Sequence, residues 1–400
     1  MKQQILQEQL FMSDRRAEEA KFKPSYYSFD VPSNRIAISS NTQRDEARLM
    51  IVNRSTGKIS HHTFKEFFYL FNQNDVIIFN QSSVKPTTVQ ALKKVESESG
   101  QKEDLKIQVT LLKNLSGRLY EVRVDNPRRV REDNVLHFGD NGLTAIVEES
   151  LGSGYRTLRF RFDGSDDEFE SELQSLCSPL LPDYSGTFKE GEAPEPKTKK
   201  KPVSGNQYRR SPEGCRYYQT VYASGGSSIV SPSAGVHFGK STMLRGELRG
   251  VNYAYINVDC GLGDRNPIDM DTSLKSQSYP CERIAIDEAA VSTINAGIAG
   301  KHCICAVGTS VLRAMETAYG LKGEARPYAG IASNFLYPGH IFGSKITSLL
   351  TGLHFGEANP NLMAVCAFAG SRKLIFKAYR KAIKMGYYFG PYGDAMLIVA

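Results

Sequence analysis

The sequence predicts an α/β fold in which an α/β-barrel-like main domain is interrupted by a small inserted antiparallel β-barrel. Between residues 88 and 165, short apolar stretches alternate with Gly, Asn and Asp turns, a pattern typical of a small barrel. From residue 216 onward, strand-like and helix-like stretches alternate, as in α/β domains. We therefore expect residues 26–87 and 166–400 to form one discontinuous main domain around the insert at 88–165.

The N-terminal part of the chain predicts a lead-in followed by the first buried strand. Residues 1–25 are charged and polar, so we expect a flexible lead-in. Phe29-Asp30-Val31-Pro32 opens the globular part. Residues 75–80 form a short apolar run that polar residues end abruptly, which indicates a buried strand.

The insert reads as a series of short strands separated by turns such as Asp140-Asn141-Gly142. The strands are expected at Leu105–Leu112, Arg118–Val124, Leu143–Val147 and Thr157–Phe162. Residues 165–176 are acidic and are expected to be helical. Residues 185–212 hold Gly, Pro, Lys and Glu without periodicity, which predicts a flexible loop. Its lysine run either contacts phosphates or is simply solvated.

The C-terminal half predicts alternating strands and helices on a largely parallel sheet, open or barrel-like. Asp287 is a candidate N-cap for a helix with apolar residues at helical spacing, and Gly300 stands just past its end. Strands are expected at 253–259, 302–307 and 393–398, and helices at 311–319 and within 361–385.

Composition sets limits on the class of protein. The 400 residues carry a net charge of +7, which is compatible with an anionic partner such as RNA and with many small-molecule enzymes. The seven cysteines form no C-x-x-C pair, so we expect reduced thiols in a cytoplasmic protein without a metal site. No apolar run is long enough to span a membrane, and the N-terminus resembles no signal peptide.

The first candidate site segment lies between residues 218 and 238. It contains Tyr218-Gln219-Thr220-Val221-Tyr222-Ala223 and, after a short gap, Ser231-Pro232-Ser233-Ala234-Gly235-Val236-His237-Phe238. Small residues let backbone amides approach a ligand, and the aromatic rings offer stacking faces. His237 is suited to proton transfer near neutral pH. The alternative is a tight turn with a hydrogen-bonded structural histidine.

The second candidate segment runs from Val307 to Glu316. A strand that ends in Gly308-Thr309-Ser310 at a helix N-terminus presents N–H groups suited to a carboxylate or phosphate. Arg313 and Glu316 are three residues apart and share a helix face. The alternative is an ordinary N-cap with a surface ion pair.

The third candidate segment has two parts, Tyr337-Pro338-Gly339 and Tyr392-Gly393-Asp394. Both are expected at strand ends, where α/β proteins place their ligands. Asp394 is a candidate base or ribose ligand, or else caps its own turn. Gly261-Leu262-Gly263 lacks the third glycine and the following helix of a dinucleotide-binding loop.

Taken in order, these segments resemble the S-adenosylmethionine:tRNA ribosyltransferase-isomerase family of queuosine biosynthesis. Tyr218–Ala223, Pro232–Phe238 and Val307–Glu316 are similar to its motifs, and Tyr337–Gly339 and Tyr392–Met396 are similarly placed. Phe29–Pro32 and Ala367–Gly370 also fit, so the resemblance covers residue 27 to the C-terminus. Because each short motif occurs in the family's order, the combination is far more specific than any one of them.

The resemblance implies a reaction and its partners. The ribosyl part of S-adenosylmethionine would move to the aminomethyl group of 7-aminomethyl-7-deazaguanine in tRNA and rearrange to an epoxycyclopentane, with release of adenine and methionine. S-adenosylmethionine is the co-substrate and no metal is required. The expected partners are tRNA and this small molecule, without a membrane, and we expect a monomer.

The matched segments supply the candidate site residues. The candidate catalytic residues are His237, Glu316 and Asp394. The candidate substrate-binding residues are Tyr222, Pro232, Ser233, Ala234, Gly235, Phe238, Gly308, Thr309, Ser310, Arg313, Tyr337, Pro338, Gly339, Tyr392 and Gly393.

Several motif positions depart from the family pattern. Asn80–Thr88 lacks two arginines of the family motif, Asp259 stands in place of a histidine, and Tyr279-Pro280-Cys281-Glu282 keeps only the acid of Met-His-Ser-Glu. Thr351–Gly356 and Asp264-Arg265 are altered as well. An alternative is therefore a divergent paralogue that binds a nucleoside or RNA without turnover, or an enzyme with a different purine acceptor.

Overall fold

The computed structural model describes residues 19–39, 43–96, 102–182, 212–262, 268–319 and 323–400. The chain divides into two compact units, Met1–Ser83 with Leu181–Ala400, and Val84–Leu180. Residues 185–211 of the predicted loop at 185–212 lie outside the described residues. So do residues 1–18 of the predicted lead-in, whereas Pro24 and Tyr27 are buried in a short 3-10 turn.

Strands and helices are numbered in chain order. The strands are β1 (Arg48–Asn53), β2 (Ile59–Thr63), β3 (Val76–Asn80), β4 (Pro86–Glu96), β5 (Lys102–Ser116), β6 (Leu119–Val124), β7 (Val135–Phe138), β8 (Leu143–Gly152), β9 (Tyr155–Arg161), β10 (Ser178–Pro179), β11 (Asn252–Asp259), β12 (Glu282–Ile286), β13 (Ile304–Val307), β14 (Tyr328–Ala332), β15 (Ser348–Gly352) and β16 (Ala395–Val399). The α-helices are α1 (Asp166–Leu176), α2 (Pro212–Tyr218), α3 (Lys240–Leu248), α4 (Glu288–Ala299), α5 (Thr309–Ala318), α6 (Pro360–Ala369) and α7 (Arg372–Lys384).

The unit Val84–Leu180 contains a closed antiparallel β-barrel. Its strands follow the order β4-β5-β6-β9-β8-β7, and β7 pairs again with β4 through Ala91 opposite Phe138. Alternate residues of each strand point inward because side chains alternate across a strand. The short β10 pairs with β4, and α1 packs Phe169 and Leu173 into the same core.

The other unit is built on a nine-stranded mixed sheet. The strand order is β14-β12-β11-β3-β13-β15-β16-β1-β2. Parallel pairs join β11 to β3, β3 to β13, β13 to β15 and β1 to β16, and the other four pairs are antiparallel. With helices on this sheet and a separate antiparallel barrel, the α/β fold class predicted from the sequence is confirmed.

The sheet is less parallel than the sequence predicts. A parallel neighbour needs a crossover connection, usually a helix, whereas antiparallel neighbours do not. The described part of the β11–β12 connection contains only the 3-10 turn Leu274–Ser276, and β12 accordingly runs antiparallel to β11. The alternation of strands and helices along the sequence does not show whether a given strand runs parallel or antiparallel to its neighbour.

Local sequence signals account for the helix ends. The Asp287 side chain accepts a hydrogen bond from the Ala290 amide and caps α4, and Gly300 follows the helix as its C-cap. Asn359 caps α6 and Ser371 caps α7 in the same way. In the part of the chain that the structure describes, no helix has the length and apolar character needed to cross a membrane.

Candidate functional site

One edge of the mixed sheet gathers the ends of many strands. The parallel strands β3, β11, β13 and β15 end there at Asn80, Asp259, Val307 and Gly352. The antiparallel strands β12 and β16 begin there, because Asp259 lies opposite Arg283 and Gly352 lies opposite Ala395. Ligand sites of α/β folds lie at the carboxyl ends of their parallel strands. The segments that follow these ends are therefore the candidate site.

The helix start at Gly308 meets the Ser233–Gly235 turn. Gly308 has a φ of +100°, and a methyl group on it would lie 3.7 Å from Ala234 Cβ. Gly308 is the N-cap and makes no side-chain cap hydrogen bond. The first-turn amides of α5 are thus not covered by a capping side chain, which suits an anionic ligand group.

The hydroxyl groups of the first turn of α5 have partners within the protein. Thr309 Oγ1 donates to Asn361 Oδ1 at 2.9 Å, which ties α5 to α6. The Ser310 side chain is hydrogen-bonded to the Cys260 thiol. Burial raises the pKa of that thiol to about 12, so Cys260 stays protonated at neutral pH and is not a thiolate nucleophile.

Arg313 forms a buried ion pair with Glu282 at the start of β12. Glu282 Oε2 accepts hydrogen bonds from Arg313 Nη2 at 2.7 Å and from Nε at 3.2 Å. Their side chains are 3% and 4% exposed. The guanidinium carbon lies 3.5 Å from the centre of the Tyr279 ring, a cation–π contact. Although burial alone would lower the pKa of Arg313, the Glu282 charge raises it above its usual value.

The alternative interpretation of Arg313 and Glu316 as a surface ion pair is wrong. Both residues are turned into the protein, and each has another partner. Glu316 Oε2 accepts hydrogen bonds from His340 Nε2 at 3.1 Å and from the Gly343 amide at 3.0 Å, and Oε1 accepts one from the Ser344 amide at 2.9 Å. Three residues of separation on a helix allow contact but do not require it.

Glu316 therefore anchors the loop that follows Tyr337-Pro338-Gly339. Burial acts to raise the pKa of Glu316, but hydrogen bonds from His340, Ser344 and Gly343 outweigh it, and the pKa is lowered. Gly339 has a φ of +107°, which a residue with a side chain rarely adopts. The Tyr337 ring packs edge-on against Phe22 at 6.3 Å between centroids.

Three buried hydroxyl groups in the candidate segment between residues 218 and 238 have no hydrogen-bond partner among the described residues. They belong to Thr220, Tyr222 and Ser231. A methyl group on Gly235 would lie 1.9 Å from Tyr222 Oη and 3.1 Å from Thr220 Cγ2, so the glycine is required for this close packing. Buried polar groups are normally hydrogen-bonded, so these hydroxyls are candidates for contact with a polar ligand or an ordered water. Thr220 and Ser231 were not predicted from the sequence.

His237 and Phe238 lie at the end of this segment in an aromatic environment. The His237 ring lies 5.2 Å from the Phe64 ring and is 5% exposed. Phe238 is fully buried against Phe64, Phe67 and Phe79, so its ring belongs to the core. Phe238 therefore offers no exposed ring face for the ligand stacking predicted from the sequence.

Arg44 links the two ends of the candidate segment between residues 218 and 238. Its Nη1 donates to the Val236 carbonyl at 2.9 Å and to the Tyr217 carbonyl at 3.2 Å. Its Nη2 donates to the Arg216 and Gln219 carbonyls, both at 2.8 Å. One guanidinium thus joins the end of α2 to the turn before His237. This role is visible only in the folded chain.

Asp394 joins the beginnings of β1 and β16. Its Oδ1 accepts from the Arg48 amide at 3.0 Å, and its Oδ2 accepts from the Tyr388 amide at 2.8 Å. The residue is 3% exposed. Tyr392 lies next to Gly393 in the same turn, and its ring lies 5.9 Å from the Tyr218 ring. This geometry gives Asp394 a positioning role for the turn.

A hydrogen-bonded cluster at the ends of β3 and β11 was not predicted. Asp259 Oδ1 accepts from Ser82 Oγ at 3.0 Å and from the Ser227 amide at 2.6 Å. Ser228 Oγ donates to Ser82 Oγ at 2.8 Å. Gly226 fits above them with a φ of +65°, where a methyl group would lie 2.3 Å from Ser82 Oγ. No spacing in the sequence indicates these contacts, because Ser82 and Asp259 are 177 residues apart.

Contacts thus link the candidate segments in pairs. Ala234 meets Gly308, Glu316 meets His340 beside the Tyr337–Gly339 turn, and Tyr218 meets Tyr392. We predict that these segments line a single ligand pocket. Among the described residues, no group of three or more His, Cys, Asp or Glu side chains is arranged to hold a metal ion.

Comparison with known proteins shows which family the chain belongs to. A family described as "Queuosine biosynthesis protein" matches residues 24–398. The S-adenosylmethionine:tRNA ribosyltransferase-isomerase of Phocaeicola vulgatus is 36% identical over 381 residues, covering 94% of this chain and 99% of that protein. The protein of the same name from Parabacteroides distasonis is 36% identical over 380 residues, covering 94% and 100%. The chain belongs to the queuosine biosynthesis protein family.

A crystal structure of an S-adenosylmethionine tRNA ribosyltransferase from Thermotoga maritima is also similar. It is 22% identical, covers 93% of this chain and 99% of that one, and has a TM-score of 0.49. The family resemblance predicted from the sequence is confirmed by the family match and the curated relatives.

Within this queuosine family member, altered positions contact residues of other motifs. Asp259 accepts a hydrogen bond from Ser82 of the altered Asn80–Thr88 motif. Tyr279, from a third altered motif, and the retained acid Glu282 both contact the retained Arg313. These altered positions therefore lie at the sheet edge that carries the retained motifs.

Proposed function

We propose that this protein transfers and isomerises the ribosyl group of S-adenosylmethionine onto 7-aminomethyl-7-deazaguanine in tRNA, forming epoxyqueuosine and releasing adenine and methionine. One observation carries the proposal. The segments that resemble the family's motifs lie at one edge of the sheet, beside the unpartnered hydroxyls of Thr220, Tyr222 and Ser231. Such hydroxyls suit a substrate rich in ribose hydroxyls and purine nitrogens.

In this proposal the α5 N-terminus receives an anionic substrate group. The amides that follow Gly308 are not covered by a capping side chain, and helix N-termini favour negative charge. The methionine carboxylate of S-adenosylmethionine is a group of this kind. Arg313 is already neutralised by Glu282, so it positions α5 and β12 instead of binding the carboxylate directly.

His237 is proposed as the proton-transfer group beside the sulfonium carbon. An imidazole changes its charge near neutral pH without a large pKa shift. Arg44 fixes the backbone immediately before it, through the Val236 carbonyl. Asp394 and Glu316 accept backbone N–H bonds, so we assign them positioning roles.

The decisive assay is adenine release from S-adenosylmethionine in the presence of precursor-bearing tRNA. His237→Ala is expected to reduce kcat by about 10²–10⁴-fold, the usual contribution of a proton-transfer group, while binding of S-adenosylmethionine is nearly unchanged. The matched control is His302→Ala, because His302 precedes β13 at the opposite edge of the sheet. Normal turnover by the His237 variant would remove His237 from the mechanism.

The tRNA partner and the location follow from this activity, and the monomeric state is a separate proposal. We infer that the protein binds tRNA as a monomer in the cytoplasm, where tRNA is modified. We also propose that no metal takes part, so chelator treatment leaves adenine release unchanged. Binding of S-adenosylmethionine without adenine release from any precursor tRNA would contradict the proposed function.

A further inference from the structure

Helix α7 carries a stripe of exposed basic side chains. Lys373, Lys377, Arg380 and Lys384 recur every three or four residues, which places them on one face of the helix. All four are exposed. At about 1.5 Å of rise per residue, they extend over roughly 16 Å of helix. We call these four residues the basic stripe.

The opposite face of α7 fixes the direction of the basic stripe. Ile375, Phe376, Ala378, Tyr379 and Ala382 are buried in the core. The Ser371 side chain caps the helix start by accepting a hydrogen bond from the Leu374 amide. Because this face is buried along most of the helix, the basic stripe points away from the core.

No carboxylate neutralises the basic stripe in the described structure. Residues 358–393 contain neither Asp nor Glu. The ion pairs of the described residues involve none of the four stripe cations. Surface lysines are usually interspersed with acids, so an uninterrupted cationic face indicates an anionic partner.

Further cations surround the end of the basic stripe. Lys381 is half-buried on the same helix, and the Arg48 guanidinium lies over the Tyr387 ring. The pKa of His61 is lowered, first by burial and then by the charges of Lys381, Arg48 and His62. The positive charges of Lys381 and Arg48 are therefore close enough to His61 to contribute to its lowered pKa.

The basic stripe leads to the candidate site. Arg48 donates from its side chain to the Met385 carbonyl just past the end of α7. Its backbone amide donates to Asp394 Oδ1 at 3.0 Å. Asp394 begins the turn into β16 at the site edge of the sheet. A partner lying along α7 thus reaches that edge at the Lys384 end.

We propose that the basic stripe binds the phosphate backbone of the tRNA substrate and directs it to the site. This inference rests on the proposed function. A nucleic-acid strand in a duplex places a phosphate about every 3.4 Å along the axis, so the stripe spans on the order of five phosphates. Lysines bind phosphates as point charges without reading sequence, which suits a contact that positions the tRNA.

The test compares two triple variants with equal changes in charge. The stripe variant is Lys373→Gln/Lys377→Gln/Lys384→Gln. The control is Lys240→Gln/Lys301→Gln/Arg326→Gln, three exposed cations of the same unit. Binding of fluorescently labelled tRNA is measured by anisotropy between about 50 and 200 mM salt, the range over which phosphate contacts are most visible.

The stripe variant is expected to bind tRNA more weakly, by roughly 5- to 8-fold at about 0.1 M salt for each phosphate that it no longer neutralises. The slope of log K against log salt should fall in magnitude by about 2. KM for tRNA should rise while kcat and binding of S-adenosylmethionine stay unchanged. The control variant should keep the wild-type slope.

Each other outcome has a distinct meaning. If the wild-type protein binds and modifies tRNA and the stripe variant keeps its slope, the docking surface is wrong and the proposed function stands. If the stripe variant loses binding to phosphatidylserine vesicles but keeps tRNA binding, the surface serves a membrane, and the inference is overturned. A wild-type protein that neither binds tRNA nor releases adenine refutes the proposed function itself.

Discussion

Removing one charge from the buried Arg313–Glu282 pair tests how the site is held together. The Glu282→Gln change keeps the shape of the side chain. It leaves the Arg313 guanidinium buried against the Tyr279 ring, 3.5 Å away, without its carboxylate. Arg313 is 3% exposed, so water does not reach it readily. An arginine does not escape this cost by losing its proton.

The expected loss of stability follows from this geometry. Breaking a buried ion pair by removing one partner costs about 3–5 kcal/mol. Because both hydrogen bonds from Arg313 end on Glu282 Oε2, a glutamine oxygen at that position still accepts them, which offsets about 1 kcal/mol. We therefore expect Glu282→Gln to lower the free energy of unfolding by roughly 2–4 kcal/mol.

Urea unfolding followed by far-ultraviolet circular dichroism measures this change, and tyrosine fluorescence serves as a second probe because the chain has no tryptophan. Since the two compact units can unfold separately, hydrogen exchange of the α5 amides isolates the local effect. Glu282→Gln/Arg313→Met, which removes both charges, should be more stable than Glu282→Gln alone. A Glu282→Gln protein within about 0.5 kcal/mol of wild type would refute the reasoning.

Two further substitutions test the packing and the electrostatics of the site. Gly235→Ala should displace Tyr222, because Tyr222 Oη lies 1.9 Å from the new methyl position. We expect the free energy of unfolding to fall by about 1–3 kcal/mol and S-adenosylmethionine binding, measured by calorimetry, to weaken. Gly261→Ala is the neutral control, because its new methyl group meets nothing within 4 Å. Because its pKa is lowered in the fold, Glu316 stabilises the protein above its unfolded pKa of about 4.5, and this contribution is lost as the pH falls through the folded value. Glu316→Gln should thus lower Tm at neutral pH and flatten its acid dependence, and an unchanged pH profile of Tm would exclude the assigned role of the His340 contact.

Local features of the fold were predictable because they depend on neighbours in sequence. The Asp287 cap and the Gly300 end of α4 follow from residue preferences at helix termini, and the structure has both. Strand β3 was expected from its apolar run and occupies Val76–Asn80. Strands β4 and β7 were not predicted, because β4 begins at a proline and mixes Gln, Lys and Glu with its apolar residues, and β7 has only four residues.

Contacts between distant residues were not predictable from spacing. Arg313 and Glu316 share a helix face, and an ion pair between them was the alternative interpretation of the sequence, but the fold gives Arg313 a partner 31 residues away. Arg44 binds carbonyls more than 170 residues further along the chain. Such partners are chosen by strand order, which a hydrophobic pattern leaves undetermined.

The altered position Asp259 is explained by its hydrogen-bond partners. Replacing a histidine by Asp259 in an otherwise unchanged site would add a carboxylate without a donor, which is costly in a partly buried position. Here Ser82 and the Ser227 amide both donate to that carboxylate, and Gly226 leaves room for the approach. The fold therefore supplies two donors to the Asp259 carboxylate, one from the end of β3 and one from the turn that contains Gly226.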